Sequence, residues 1–472
     1  MTEEEAREIY RQGEEAVVAK FMEFDARLKR LEEIIGMNST NSSKPPSTDN
    51  KLIKQRDKQQ KSSKRKRGGQ TGHKGSNLKI NPNPDQINVL KPQNCSCCSS
   101  SLKNIKSIKV EKRQLLDLPN VKINVTEFQS YTKICPKCKT PNKPSFPENI
   151  NGIAQYGDNI RSFVSYCNTY QMLPYERISE FIEDFIGHKI STGTIYSFLN
   201  QHHSRLENFE NRLKQELIKE DVIHSDETGV NIKGKLNWIH VASSNTLTYY
   251  MLHKKRGKIA MDDMGILANY NGIAVHDHWK PYNKYSCTHS YCNAHILREL
   301  NAITQMENRQ WSKDMYSLLT NINIAIHKAK NSFKSHLTTR QIGKFTNNYR
   351  QICKNGKNYY QPPDSSHGKT RGPIKQEKGK NLLDRLLKYQ EETLRCLNDF
   401  RVPFTNNLAE RDLRMIKVKE KISGTFASFG GGEIFCRIRS YISTLKKNSI
   451  PILDGLRMAL NGNAYFPSVV RC

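Results

Sequence analysis

The stretch 221–280 constrains the fold more than any other part of this 472-residue chain. It reads DVIHSDETGVNIKGKLNWIHVASSNTLTYYMLHKKRGKIAMDDMGILANYNGIAVHDHWK. Val222 and Ile223 lead into Asp226. Val230 and Ile232 then alternate with polar residues up to Lys233-Gly234-Lys235, a composition that fits a tight hairpin turn. Trp238, Ile239 and Val241 form a second strand, Ser243-Ser244-Asn245 a turn, and residues 247–252 a third strand. Ile259, Met261, Met264, Ile266 and Leu267 predict a helix within 258–270. Gly272 then precedes a fourth strand, with Ile273 and Val275, that ends at Asp277.

Three antiparallel strands, a helix and a strand beside the first is the order of an RNase H-like core. The predicted fold class is therefore α+β and multidomain, with an RNase H-like α/β core at its centre. In that arrangement Asp226 and Asp277 end adjacent strands. Two carboxylates that close repel each other unless a cation lies between them, and hard oxygen ligands suit Mg2+ or Mn2+. Taken alone, the pair reads equally well as two solvated strand-end acids.

A third acid stands in residues 402–426, VPFTNNLAERDLRMIKVKEKISGTF. This segment resembles the catalytic signature of bacterial and archaeal DDE transposases of the insertion-sequence-66 type, with Asn406, Asn407, Glu410, Arg411 and Arg414 as its specific positions. The resemblance extends, in the family's order, to NSSKPPSTD at 41–49, RKRGGQTGHKG at 65–75, HSDET at 224–228, HDHWKPY at 276–282 and CNAHILREL at 292–300. It implies a DNA transposase that cleaves at transposon ends and transfers the strand into target DNA. It also implies a zinc-binding domain ahead of the core, a helical insertion between the second and third acids, and accessory transposition proteins as possible partners.

The chain's charge agrees with a polyanion partner. Its formal net charge is +29, which favours nucleic acid. No apolar run approaches the roughly 18 residues of a membrane helix, and residues 1–10 are acidic, unlike a signal peptide. The twelve cysteines then read as reduced thiols and metal ligands. The expected location is cytoplasmic and nucleoid-associated.

The chain divides by pattern into eight parts. Residues 1–36 predict a helix in which Tyr10, Val17, Phe24 and Leu31 recur every seven, with Phe21, Leu28 and Ile35 as a second row. That seam suits a coiled-coil homo-oligomer or packing on the chain's own domain. Residues 37–92 read as a basic, flexible linker. Residues 51–80 hold eleven Lys or Arg against one Asp, and Arg65, Lys66 and Arg67 form a basic arm suited to phosphates. In 93–150, Cys95, Cys98, Cys135 and Cys138 form two CxxC pairs that fit one structural Zn2+ in a ribbon, with Cys97 as a spare thiol beside Cys98. Residues 151–220 are helical. Ser191 or Thr192 caps a helix that fits either a helix-turn-helix or a connector packed on the core. Residues 221–300 begin the core, 301–400 form the helical insertion around a polar loop at 355–380, 401–432 complete the core, and 433–472 add C-terminal helices. Cys287, His289, Cys292 and His295 have a zinc-like spacing. A helix over 290–300 separates them unevenly, which favours buried structural use.

Glu410 has two readings. Asn407-x-x-Glu410 fits a helix start, with Asn407 as cap and Glu410 in the first turn. Positions 410, 414, 417 and 421 also share a face, so Glu410 heads a stripe of Arg414, Lys417 and Lys421 beside the apolar row of Ala409, Leu413 and Ile416. With Asp226 and Asp277 this gives three oxygen donors for two Mg2+ or Mn2+ ions about 3.5–4 Å apart, with Arg411 and Arg414 offsetting phosphate charge. Glu299 competes for the third place by position. Two other functions fit the same residues: an RNase H-fold nuclease that does not join, and an inactive DNA-binding regulator.

Overall fold

The structure, a computed structural model, describes residues 2–36, 78–360 and 376–468. Two compact units are present: residues 51–125, and residues 1–50 with 126–472. The basic arm at Arg65, Lys66 and Arg67 lies outside the described residues.

The N-terminal segment is two helices, not one. α1 (Glu3–Arg11) opens on a capping box between Thr2 and Glu5. Gly13, at φ 100°, then breaks the helix before α2 (Glu14–Gly36). Tyr10, Phe21, Leu28 and Leu31 are exposed along this segment. The side chain of Ile35 lies outside the described residues.

The segment between the two cysteine pairs of the expected ribbon is mostly irregular. Residues 102–132 contain no helix or strand. β1 (Lys133–Ile134) and β2 (Pro141–Asn142) form the one short ladder there. Ile108, Leu115 and Val125 are exposed, so the alternating pattern has no buried face to turn it into a stable ladder.

Helices α3 (Asp158–Ser165), α4 (Tyr175–Ile186), α5 (Thr192–Arg205) and α6 (Glu207–Ile218), with a π-helical turn at Tyr166–Tyr170, pack against the central sheet. Ser191 caps α5, its hydroxyl accepting the Thr194 N–H at 3.1 Å. α5 buries Ile195, Phe198, Leu199 and His202, which makes it part of the core, and leaves Thr192, Tyr196 and Asn200 exposed.

The sheet is β3 (Val222–Ile232), β4 (Lys235–Ser243), β5 (Thr248–His253), β6 (Ile273–His276) and β7 (Thr288–Tyr291), in the order β5-β4-β3-β6-β7, with α7 (Lys258–Met264) between β5 and β6 in the chain. Lys233 and Gly234, at φ 48° and 76°, make the two-residue hairpin loop that their composition predicts. β3, β4 and β5 are antiparallel, while β6 runs parallel to β3 and β7 parallel to β6. β7 was not expected: Ser290 and Tyr291 were assigned to a helix, but they lie buried in a strand and the helix begins at Asn293. A four-residue strand is too short to show its period against a following helix.

Side chains alternate across the sheet. Ile223, Ala242, Tyr249 and Ala274 join the core under α3–α6. Val230, Ile232, Ile239, Val241, Tyr250 and Leu252 face α13 (Asn407–Ser423) and α14 (Phe429–Lys447). Asp226 shares the parity of Val230 and Ile232, and so points toward α13, while Glu227 points to the opposite face. Between β7 and α13, helices α8 (Asn293–Glu307), α9 (Gln310–Asn331), α10 (Thr339–Lys357), α11 (Lys378–Lys388) and α12 (Gln390–Asn398) pack around buried Trp311. The polar loop's centre, residues 361–375, lies outside the described residues. α15 (Ile452–Leu460) closes the fold.

Candidate metal centre

Strand register brings the first two acids together. His224 pairs with Val275 across the parallel β3–β6 ladder, and each acid lies two residues further along the chain. Asp226 lies within β3, and Asp277 lies one residue past the end of β6. Asp226 Oδ1 accepts its neighbour's N–H, from Glu227, at 2.9 Å. Asp277 Oδ1 accepts the N–H of Trp279 at 2.9 Å, which folds the following loop back over the strand end.

Helix α13 brings the third acid. Its N-cap is Asn406, one residue earlier than the sequence suggested, and the Asn406 side chain makes no capping bond. It is committed elsewhere. Oδ1 meets His224 Nδ1 at 2.8 Å, and Nδ2 donates to the Ser225 carbonyl at 2.9 Å. The start of α13 is thus bolted to β3 beside Asp226, and Glu410 falls in the fourth helical position rather than in a capping box. Ala409, Leu413 and Ile416 pack on the sheet, while Arg411, Arg414, Lys417 and Lys421 are exposed. Lys417 is partly occupied, donating to the Gly229 carbonyl and pairing with Glu420 at 2.8 Å.

The electrostatics follow from this crowding. The Asp226 carboxyl is pushed well above the usual carboxylate range, first by burial and then by the neighbouring Glu227, Asp277 and Glu410 charges. The charges of Asp277, after β6, and of Glu410, on α13, are thus both felt at Asp226 on β3, which gives this part of the sheet a negative field. Such a field suits cations bound through oxygen.

Residues 154–434, which hold the sheet and all of α13, match the Transposase IS66 family. The chain belongs to that family. Residues 2–79 match a family of unknown function, and no curated protein matches the chain. Membership makes this an enzyme lineage acting on DNA and implies divalent metal use.

Several residues of the transposase's centre were not assigned from sequence. One group among the described residues brings three ligand atoms within 4.8 Å of one another: Cys292, His295 and Glu410. Asp226 and Asp277 stand outside it. The Cys292 thiol is pushed up to about 12, chiefly by burial and also by the Glu410 charge. Glu227 meets Arg256 Nε at 2.9 Å and the Tyr282 hydroxyl at 2.5 Å, and the Arg256 guanidinium lies 4.1 Å from the Trp279 ring centre. This cluster holds the loop after Asp277 from the sheet's other face. Glu299 ion-pairs with Arg385 of α11 and lies 3.9 Å from His278. Burial would raise its carboxyl, but His278 and Arg385 outweigh burial and hold it below the usual value. Glu299 thus ties the insertion to the core.

The two cysteine pairs have twin local geometry. In the first, the Cys95 carbonyl accepts the Ser99 N–H at 3.0 Å and the Cys95 N–H donates to Ser100 at 2.9 Å. In the second, Cys135 makes the same two bonds with Lys139 and Thr140, both at 2.9 Å. Ser99 and Lys139 both turn left-handed, at φ 63° and 59°. The Cys98 thiol is lowered to about 7 by the Ser100 hydroxyl, the Ser100 backbone and Cys95, and Cys138 likewise by Thr140 and Cys135. Each pair is thus a tight knuckle whose second sulfur is already inclined to the thiolate form that metals need.

Among the described residues no helix is long and apolar enough to cross a membrane.

Proposed function

We propose that this protein is a DNA transposase that binds transposon ends and catalyses strand cleavage and strand transfer through Asp226, Asp277 and Glu410 in an RNase H-like core. The observation that supports the reading is the parallel β3–β6 ladder, whose last pair, His224 with Val275, precedes each acid by two residues, together with the Asp277 and Glu410 charges that raise the Asp226 carboxyl. The three carboxylates would hold two Mg2+ or Mn2+ ions. Such ions supply positive charge against the scissile phosphate and acidify the attacking hydroxyl. Arg411 and Arg414, exposed on the first turns of α13, face outward to meet the DNA backbone. The polar side chains on the exposed row of α5 offer a further DNA contact. A self-associating assembly is supported by the exposed apolar residues of α1 and α2, and a nucleoid-associated location by the charge of +29.

A joining assay tests this. Purified protein, labelled DNA carrying the element's ends, and Mn2+ or Mg2+ should yield both nicked ends and products joined to a target plasmid. Cleavage without joined products would make it a nuclease. Specific end binding with neither product would make it a regulator.

The twin knuckles support the proposal that Cys95, Cys98, Cys135 and Cys138 take one structural Zn2+. Freshly purified protein is expected to contain about one tightly held zinc per chain, lost on Cys135→Ser, as four thiolates close a tetrahedral site. Metal analysis that finds the same zinc content in both proteins would remove this assignment.

Non-specific affinity is assigned to residues 51–80, with Arg65, Lys66 and Arg67 at their centre. Deleting the segment should flatten the plot of log affinity against log salt, because each lost phosphate contact removes about 0.9 from the slope on duplex DNA. An unchanged slope would show that the charge does its work elsewhere.

A further inference from the structure

We propose that Cys292 Sγ, His295 Nδ1 and Glu410 Oε1 form a binding site for one thiophilic divalent cation of the Zn2+ class, next to the Asp226–Asp277 pair. Glu410 Oε1 lies 3.8 Å from Cys292 Sγ and 3.9 Å from His295 Nδ1. Zinc–ligand lengths of about 2.0–2.3 Å at a tetrahedral angle separate neighbouring ligand atoms by roughly 3.3–3.5 Å. These two separations exceed that spacing by about 0.3–0.6 Å, all three ligand atoms lie within 4.8 Å of one another, and they are too far apart for good hydrogen bonds among themselves.

Each ligand is prepared for the role. His295 Nδ1 is buried and has no hydrogen-bond partner, an expensive state for a polar atom unless something else occupies its lone pair. Cys292 Sγ accepts the backbone N–H of Asn406 at 3.1 Å, the kind of surrounding contact that orients a ligand sulfur. Asn406 is itself fixed to β3, so the sulfur, the helix that carries Glu410 and the strand that carries Asp226 share one anchor. Cys292 is the N-cap of α8 and His295 lies in its first turn, while Glu410 comes from α13, so elements of distant sequence converge on the site. Three protein ligands leave a fourth position open, as in zinc sites that bind a further ligand.

The structure also rejects the four-residue site that the sequence spacing suggested. His289 has both ring nitrogens engaged, with His276 and with the Tyr285 carbonyl, each at 3.0 Å. Glu410, 118 residues beyond Cys292, takes the place that His289 and Cys287 cannot. A sulfur and an imidazole beside a carboxylate favour Zn2+ and Co2+ over Mg2+. The site would therefore select a different ion from the oxygen-only pair of Asp226 and Asp277.

Co2+ is the probe, added without DNA to full-length protein whose other cysteines are already zinc-loaded. The wild-type chain should bind one further Co2+ with a thiolate-to-cobalt absorption band and tetrahedral visible bands. Cys292→Ser should lose that band and that equivalent. His295→Gln should weaken the binding at least about tenfold, the lower end of what even a contact outside the ligand set contributes. Asp226→Asn should keep the band, which separates this site from the strand-transfer reading. Equal Co2+ stoichiometry and spectra for wild type and Cys292→Ser would overturn the proposal. Should Cys292→Ser fail to fold by circular dichroism, unchanged Co2+ affinity in His295→Gln would overturn it equally.

Discussion

Glu410→Gln is expected to abolish end cleavage and strand transfer, by at least about 10³-fold, the scale on which removing one preorganised electrostatic group acts. Binding to end DNA should stay within a few-fold. The substitution keeps the size of the side chain and its place on α13, where Ala409, Leu413 and Ile416 hold the helix to the sheet. It removes only the charge. Asp226→Asn and Asp277→Asn should behave alike. Glu299→Gln should remain active, because Glu299 is spent on Arg385 and His278. A Glu410→Gln protein that cleaves normally beside a dead Glu299→Gln would reverse the assignment.

Asp226→Asn carries an opposite signature in stability. Its carboxyl is raised by burial and by Glu227, Asp277 and Glu410, so the folded state holds a proton that the unfolded chain releases. Stability therefore falls as pH rises from the ordinary aspartate value toward the raised one. At neutral pH without divalent cations, removing the charge relieves that repulsion. Asp226→Asn should then melt higher than wild type in chelator, and Mg2+ or Mn2+ should raise the wild-type melting temperature more than the variant's. Functional sites commonly store this kind of cost.

How much of this was legible follows from where the signals lie. The β3–β4 hairpin, the helix and β6 were readable because alternation, a Lys-Gly turn and a glycine break all lie within sixty residues of each other. β7 was missed because four residues carry no usable period. Gly13 was passed over because the heptad pattern continues across it, although its φ of 100° ends α1. The acids could be nominated from sequence, yet the proposal that they act together rests on the β3–β6 ladder and on α13 docking from the far side of a hundred-residue insertion. Asn406 stood in the recognised signature without a role. Nothing in its neighbours reveals that its amide would be used 182 residues away, on His224. His295 and Cys292 were assigned to structural burial because Glu410, the residue that gives them a shared purpose, is remote in the chain.

Lys447→Met is expected to cost about 3–5 kcal/mol of stability, the range for breaking one side of a buried ion pair, even though neither residue lies in the DNA-facing row. Asp412 sits on α13, two residues after Glu410. Its Oδ2 accepts Ser243 Oγ at 2.5 Å, Thr248 Oγ1 at 3.2 Å and Lys447 Nζ at 3.1 Å. Lys447 Nζ donates as well to the carbonyls of Ser244 and Leu247, at 2.8 and 3.0 Å. The two charged side chains are only 12% and 15% exposed. Burial lowers the Lys447 ammonium, while Asp412 acts to restore it, so each charge depends on the other. Together they join α13, α14 and the β4–β5 turn, which is the frame that aims Glu410. Methionine fills the lysine's volume but leaves the Asp412 carboxylate uncompensated, and the denaturant midpoint should fall with little change in slope. Replacing both, as Asp412→Leu with Lys447→Met, should recover most of the loss, since an apolar pair of similar volume needs no desolvated charge. A single variant that loses under about 1 kcal/mol, or a double variant that is worse than Lys447→Met alone, would mean that the clamp is carried by the hydroxyl and carbonyl contacts and not by the ion pair.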